Sequence, residues 1–378
     1  MKITKLESIH VKPRWHFLKV HTDEGIVGYG EPIVEGRSRT VAMAIKEMEP
    51  YLLGQDPLQI ERHWQTLYRG KFYRGGAVLV SAISGVEQAL WDIKGKFYNM
   101  PVYEMLGGSV RSKIRMYAGA GGSTPEEAAK SALSRKNSGF TALKTAPDAP
   151  VRNIDSMAFI ENETNKLAAM REAVGKEMDI AIDFHGRISP AMAIRMAQAF
   201  EPYCPMFIEE PCLPENPDAM LRIAQSTTIP IAAGERVFTR WGFRELLEKQ
   251  AVAVVQPDLC HAGGIFEAKK IAAMAEVYYA SIAPHNPLGP ISLASCLQLD
   301  ACTPNFLIQE HPGMSEKWDL GVGYLKKPFV IENGYIDLPT GPGLGIELDE
   351  DFIAEQTYDG AWDTPRLTHA DDGSFAEW

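Results

Sequence analysis

Six ionisable residues, Asp183, Glu209, Glu235, Asp258, His285 and Glu310, each close or directly follow a short apolar run. Their separations of 26, 26, 23, 27 and 25 residues match one strand and one helix per step. A single acid after a strand is more often a helix N-cap than a ligand. Six in successive units read differently, as a ladder of groups around the mouth of a barrel whose strands carry their chemistry at the carboxyl ends. Asp183, Glu209 and Glu235, converging there, would repel one another and stay ionised only around a cation. Hard oxygen donors without Cys or His favour Mg2+, with water and substrate oxygens completing its shell.

Two histidines could move protons beside that cation. His185 lies two residues beyond Asp183, so an extended segment points both side chains the same way. An imidazole there serves as acid or base near neutral pH. Asp258 and His285 close neighbouring strands, within reach for the carboxylate to accept a hydrogen bond from one ring nitrogen, orient the ring and raise its basicity. His261, in Cys260-His261-Ala262-Gly263-Gly264, reads as structural, because the loop then turns away into a helix.

The elements that must position these groups follow from periodicity. Lys2 to Val11, Phe17 to Thr22 and Gly25 to Glu31 alternate apolar and polar residues, and Thr22-Asp23-Glu24-Gly25 supplies a turn, so an antiparallel meander is expected. From Ser38 to about Asn99 the period is helical, with Val86–Gly95 as a buried helix. After Leu106-Gly107-Gly108, short apolar runs alternate with longer amphipathic ones. Strands are expected near Ile114–Tyr117, Ala142–Lys144, Ile180–Asp183, Met206–Glu209, Ile231–Ala233, Val254–Gln256, Ser281–Ala283 and Leu307–Gln309. Eight strands with helices between them are the sequence form of a parallel barrel. The alternative, a doubly wound sheet, lacks a GxGxxG after any strand.

Composition excludes several classes. With 378 residues, 45% hydrophobic and 23% charged, the chain has the make-up of a globular protein rather than a disordered one. A net charge of -11 argues against nucleic acid as a partner. An anionic substrate would then need a local cation, a metal or a few placed Lys and Arg residues. Five scattered cysteines without a CxxC pair predict reduced thiols and a cytoplasmic location. No stretch has the length of a membrane span.

Taken together, Asp183-Phe184-His185-Gly186-Arg187, Phe207-Ile208-Glu209-Glu210-Pro211, Ala233-Gly234-Glu235-Arg236, Gln256-Pro257-Asp258, His261-Ala262-Gly263-Gly264, Ala283-Pro284-His285 and Gln309-Glu310 resemble the mandelate racemase subgroup of the enolase superfamily. The likeness extends to Ala89–Gly95 and to Ala376-Glu377-Trp378. Within the subgroup, Arg14-Trp15, Phe72–Gly76 and Pro287–Ile291 are most similar to its sugar-acid dehydratases. The resemblance implies an α/β fold, a modified TIM barrel (β/α)7β with an N-terminal α+β capping domain. The capping domain would span 1–112, the barrel 113–333, and a segment 334–378 would pack on the capping domain.

The same likeness implies Mg2+ held by Asp183, Glu209 and Glu235, and a reaction that begins with removal of the proton next to a carboxylate. His285, paired with Asp258, would take that proton from C2. His185 would protonate the departing C3 hydroxyl, and a protonated Glu310 would donate a hydrogen bond to the substrate carboxylate. The substrate implied is an aldonate, D-galactonate foremost, and the assembly a homo-oligomer, often an octamer. Arg14, Trp15, Tyr73 and Arg74 are candidates to meet the polyol end, with surface pairing or core packing as the alternative. Arg236 would either contact substrate or neutralise the acidic ring.

The chain departs from the pattern in places. Racemases of the subgroup carry Lys-x-Lys where this chain reads Lys144-Thr145-Ala146, which argues against a two-base racemase. Ala146 stands where the dehydratases have Asn, Gly119 stands where a Trp is expected, and His311-Pro312-Gly313 differs from the usual continuation. A cycloisomerase or epimerase of an acid sugar is the second enzymatic expectation, and a catalytically silent binding protein on the same barrel is the third.

Overall fold

The structure, a computed structural model, describes residues 1–311, 313 and 317–378. The alternating N-terminal segments form an antiparallel sheet of β1 (Ile3–Val11), β2 (Trp15–Thr22) and β3 (Val27–Gly30), in that order. The turn between β2 and β3 uses Gly25 at φ 79°. Three helices follow, α1 (Ser38–Leu52), α2 (Ile60–Arg69) and α3 (Ala77–Tyr98), and then the short α4 (Val102–Met105). β3 lies so close to α3 that a Cβ at Gly30 would run into the carbonyl of Gly85, which only glycine avoids.

From β4 (Lys113–Gly119) onward, strand and helix alternate: α5 (Pro125–Asn137), β5 (Ala142–Thr145), α6 (Met157–Val174), β6 (Asp179–Asp183), α7 (Pro190–Phe200), β7 (Phe207–Glu209), α8 (Pro217–Ala224) and β8 (Ile231–Ala233). The alternation continues through α9 (Thr239–Glu248), β9 (Val254–Val255), α10 (Ile265–Val277), β10 (Ser281–Ile282), α11 (Pro290–Ala301) and β11 (Gln309–His311). Sequence neighbours are sheet neighbours from β4 to β10, all parallel, and β11 returns beside β4. That order is a barrel and not a doubly wound sheet.

The last strand starts two residues later than expected because its two edges bond at different heights. Before it, Ile282 N–H donates to Asn305 O at 2.9 Å and Leu307 N–H to Ile282 O at 2.8 Å, closing the ring against β10. Gln309–His311 then pairs with Met116–Ala118 of β4. Side-chain caps start several helices, Thr124 for α5, Ser156 for α6, Ser189 for α7 and Asn216 for α8, with Pro at the first turn of α5, α7 and α8.

Beyond the barrel, β12 (Tyr335–Asp337) pairs antiparallel with β4, and α12 (Glu350–Gln356) leads to Thr357, which bridges to Val11. The segment 334–378 therefore divides its contacts between barrel and N-terminal sheet. No described helix is long and apolar enough to cross a membrane.

Helix α3 joins the two parts. It is buried through most of Val80–Ile93 and carries polar residues where an apolar stripe would be expected. Gln88 Nε2 donates to Leu259 O at 3.0 Å, and Ser84 Oγ accepts from Gly263 N–H at 2.9 Å. Glu87 accepts the N–H groups of Ile265 and Phe266, each at 2.8 Å, so it caps α10 from outside the barrel. Glu31 does the same for α11, accepting from Gly289 N–H at 2.7 Å and Ser292 N–H at 2.9 Å. The free N–H groups of both helix N-termini thus find buried carboxyl oxygens from the capping domain, and burial pushes both carboxyls up to about 8.

Glu87→Ala leaves two buried N–H groups and the Trp91 indole without an acceptor, and is expected to lower unfolding stability by about 3 kcal/mol. Glu87→Gln, which retains an acceptor oxygen, should lose less. Urea unfolding at neutral pH measures both, and an Ala variant as stable as the parent would show that the cap carries no weight.

Candidate active site

One apolar layer fills the barrel interior, built from Tyr117, Ala142, Ala181, Phe207, Ala232, Val254, Ala283 and Ile308. Two residues farther along the same chain segments come Gly119, Lys144, Asp183, Glu209, Gly234, Gln256, His285 and Glu310. The site is largely this second layer. Asp183, Glu209 and Glu235 bring carboxylate oxygens within 4.8 Å of one another. Glu235 follows Gly234, whose φ of 154° takes the chain off the strand where a Cβ would strike the backbone of Gln256.

A residue absent from the expected set stands in the middle. Lys144 Nζ lies 3.1 Å from Asp183 Oδ2, 3.1 Å from Glu209 Oε2 and 2.7 Å from Glu310 Oε1, with the ring of Tyr117 below it at 5.5 Å. Its place was readable from the two-residue period that also places Asp183 and Glu209.

The electrostatics divide the trio. Burial pushes Asp183 up, but Lys144, His185 and the His185 N–H outweigh it and bring it down to about 2. Burial and the charge of Asp183 push Glu209 up to about 7 despite Lys144. Burial, with Glu210, Asp183 and Glu209 nearby, holds Glu235 well above the carboxylate range against the pull of His285. Glu235 Oε2 is buried without a hydrogen-bond partner. Lys144 touches Asp183, Glu209 and Glu310 but not Glu235, whose nearest cationic group is the His285 ring at 3.4 Å. Three hard oxygen donors, one of them orphaned, fit a divalent cation such as Mg2+.

An imidazole stands at each end of the trio. His285 Nδ1 is 2.8 Å from Asp258 Oδ2, which leaves Nε2 facing Glu235 at 3.4 Å and Glu310 at 3.9 Å. Asp258 is itself fixed by the Cys260 N–H at 2.7 Å. Burial lowers His285, but Glu235, Glu310 and Asp258 outweigh it and hold the ring well above its ordinary value. His185 Nε2 is 3.4 Å from Asp183 Oδ2. The segment there is not extended: His185 has φ 51° and Gly186 φ 62°, and the reversal brings the imidazole back over the strand end. Burial, Arg187 and Lys144 keep His185 below its ordinary value against Asp183.

Glu310 differs from its expected protonated state. Burial raises it, but Lys144, His285 and the Asn286 N–H at 2.7 Å outweigh that, and both its oxygens accept hydrogen bonds. His261 Nδ1 meets Ser81 Oγ of α3 at 2.9 Å, a bond between the two parts of the molecule.

The expected substrate contacts scatter. Trp15 is fully buried, stacked on Phe17 and edge-on to Tyr324 beneath Gly289, so it packs the core instead of meeting the polyol end of a substrate. Arg14 pairs with Glu35 at 2.8 Å and donates to Pro287 O at 3.2 Å. Tyr73 is 84% exposed, and Arg74 lies over the Tyr68 ring at 5.9 Å. Arg236 grips Glu210 with two nitrogens and bonds the His185 carbonyl, so its charge is spent on the acidic ring. Gly119 has open space around it where a larger side chain was expected. Ala146 follows β5, and Pro312 lies outside the described residues.

A capped parallel barrel with an acid trio on three consecutive strands defines the enolase class of proteins. Residues 6–107 match the mandelate racemase/muconate lactonizing enzyme N-terminal domain, and residues 126–352 match the enolase C-terminal domain-like family. The chain belongs to the mandelate racemase subgroup of the enolase superfamily. It is 47% identical to a D-galactonate dehydratase of Ralstonia nicotianae and 47% identical to one of Cronobacter sakazakii, over the whole of both chains in each case. Among solved structures, a mandelate racemase/muconate lactonizing enzyme from a Sulfitobacter species superposes with TM-score 0.91 at 35% identity, covering 96% of this chain and 98% of the other. An enolase-superfamily member from Salmonella Typhimurium superposes with TM-score 0.89 at 33% identity, covering 94% and 98%.

The site makes a prediction about stability without metal. Unfolded carboxylates ionise near 4.5 while native Glu209 holds its proton to about 7, so the native state binds more protons between those values. The Glu209 contribution is full below about 4.5 and is lost as pH rises through about 7. Mg2+ is expected to remove that decline. Glu235→Gln should leave the EDTA-treated protein at least as stable as the parent, yet weaken Mg2+ binding about tenfold or more. Calorimetric melting and Mg2+ titration read both effects, and an undiminished Mg2+ affinity would exclude Glu235 as a ligand.

Proposed function

We propose that the chain dehydrates a sugar acid, with D-galactonate as the leading substrate, to a 2-keto-3-deoxy acid. The observation that carries this reading is the pair of imidazoles flanking a carboxylate trio, one ring fixed by Asp258 with its Nε2 turned into the site. Full-length likeness to two D-galactonate dehydratases supports the substrate.

In this reading Asp183, Glu209 and Glu235 hold Mg2+, which when bound supplies positive charge to the substrate carboxylate as negative charge develops there. Lys144 and Glu310 border the same place. His285 Nε2 accepts the C2 proton while Asp258 stabilises the imidazolium. The electron pair of the C2–H bond becomes the C2–C3 double bond, the C3–O bond breaks, and His185 gives its proton to the leaving hydroxide, which departs as water. The resulting enol takes a proton at C3 and becomes the ketone. The chemistry needs one acid and one base, and the two histidines meet it without a second lysine on β5.

A cycloisomerase or epimerase shares the first proton transfer but loses no water. Incubation with Mg2+ and a panel of aldonates in D2O separates them. The expected product is a 2-keto-3-deoxy acid, formed fastest from D-galactonate. His285→Asn should lower the rate about 1,000-fold, and His185→Asn should stop water loss while C2 exchange continues. Exchange in the parent without a keto acid would overturn dehydration, and activity on no acid sugar would favour a binding role.

A further inference from the structure

His185 lacks the device that orients His285. Asp258 fixes the His285 ring through Nδ1, whereas the Nδ1 of His185 is buried without a partner and its Nε2 meets Asp183 at 3.4 Å. A proton donor must point at its target, so packing has to set this ring.

The packing comes from the far end of the chain. After α12 the segment passes the N-terminal sheet, where Tyr358 N–H donates to His10 O at 3.0 Å and Asp359 pairs with Arg39. Trp362 then lies against the guanidinium of Arg14 at 5.0 Å. Residues 367–376 close a small hairpin through Ala376 N–H to Leu367 O at 3.0 Å and His369 N–H to Ser374 O at 2.9 Å. Arg152, between β5 and α6, holds this hairpin through Asp371 and Asp372. Beyond the buried Ala376, the indole of Trp378 faces the imidazole of His185, with ring centroids 6.5 Å apart and planes at 56°.

We propose that Trp378 is the positioning residue of His185, and that the segment 357–378 is a strap, running from the capping sheet over the barrel loops, that holds the indole in place. The indole sets the imidazole plane and shields it from water on that side. The proposal rests on the dehydratase reading for the role of His185, but the contact itself does not depend on that reading.

The full chain with Mg2+ and D-galactonate in D2O, compared with Trp378→Ala, Trp378→Phe and Arg152→Ala, provides the test. Loss of the indole should lower the rate of water loss about 10- to 100-fold with little change in KM, while C2 exchange by His285 stays within about twofold. Trp378→Phe should restore most of the rate, and Arg152→Ala should shift it in the same direction as Trp378→Ala but less. Independently of activity, diethyl pyrocarbonate followed by mass spectrometry should label His185 several-fold faster in Trp378→Ala, with His285 unchanged. Equal falls in exchange and water loss, or unchanged His185 labelling, would overturn the proposal. If the parent made no keto acid, the dehydratase reading would fail, and the labelling result alone would still decide whether Trp378 covers His185.

Discussion

Like charge confined in a small, dry volume is the constraint on which the rest depends. Asp183, Glu209, Glu235 and Glu310 end neighbouring or nearby strands, and a barrel of this width leaves them no room to separate. Lys144 answers part of the repulsion by touching Asp183, Glu209 and Glu310 at once, and Asp183 is correspondingly ionised. Glu235 lies beyond those contacts and resists ionisation. A site that under-neutralises its own acids attracts a divalent cation and an anionic substrate that brings further ligands to it.

Such a site needs a rigid surround, and the capping domain supplies one by unusual means. Glu31 and Glu87 reach across to cap α11 and α10, the helices that follow the His285 and Asp258 loops. Each domain buries polar groups that only the other pairs, carboxyl oxygens on one side and helix N–H groups on the other. The loops that carry Asp258 and His285 are therefore held by the fold of a region that contributes none of the six acids and bases of the ladder. Ser81 adds a further tie through His261.

The trio and the Asp258–His285 pair were legible because one residue per barrel unit, always at a strand end, is a pattern that spacing alone exposes. The barrel was legible for the same reason. Lys144 carried an equally good signal, two residues beyond an interior alanine, but a lysine on a strand resembles a surface residue until the interior layer is known. His185 reached its expected place by a different route, through a left-handed turn that a period of two does not describe. The sequence leaves Trp15 open between substrate contact and core packing because nothing local distinguishes an indole buried under Gly289 from one lining a cleft. The strap to Trp378 was illegible in a polar, irregular stretch whose partners, Arg39, Arg14 and Arg152, are more than 200 residues away.

The two imidazoles are set in opposite directions, and the difference follows from the same charge. Against burial, the neighbouring acids Glu235, Glu310 and Asp258 together hold His285 above its ordinary value. In the proposed reaction a cation held among the acids would weaken that hold and leave Nε2 to serve as the base, while the Asp258 bond keeps the ring oriented. Burial, with Arg187 and Lys144 nearby, keeps His185 below its ordinary value, so in the proposed reaction a proton it carries would pass readily to a leaving oxygen. The first needs its neighbours neutralised and the second needs its ring held still. In the proposed reaction cation binding would meet the one requirement and packing the other, so charge and shape would act on separate halves of a single proton-transfer sequence.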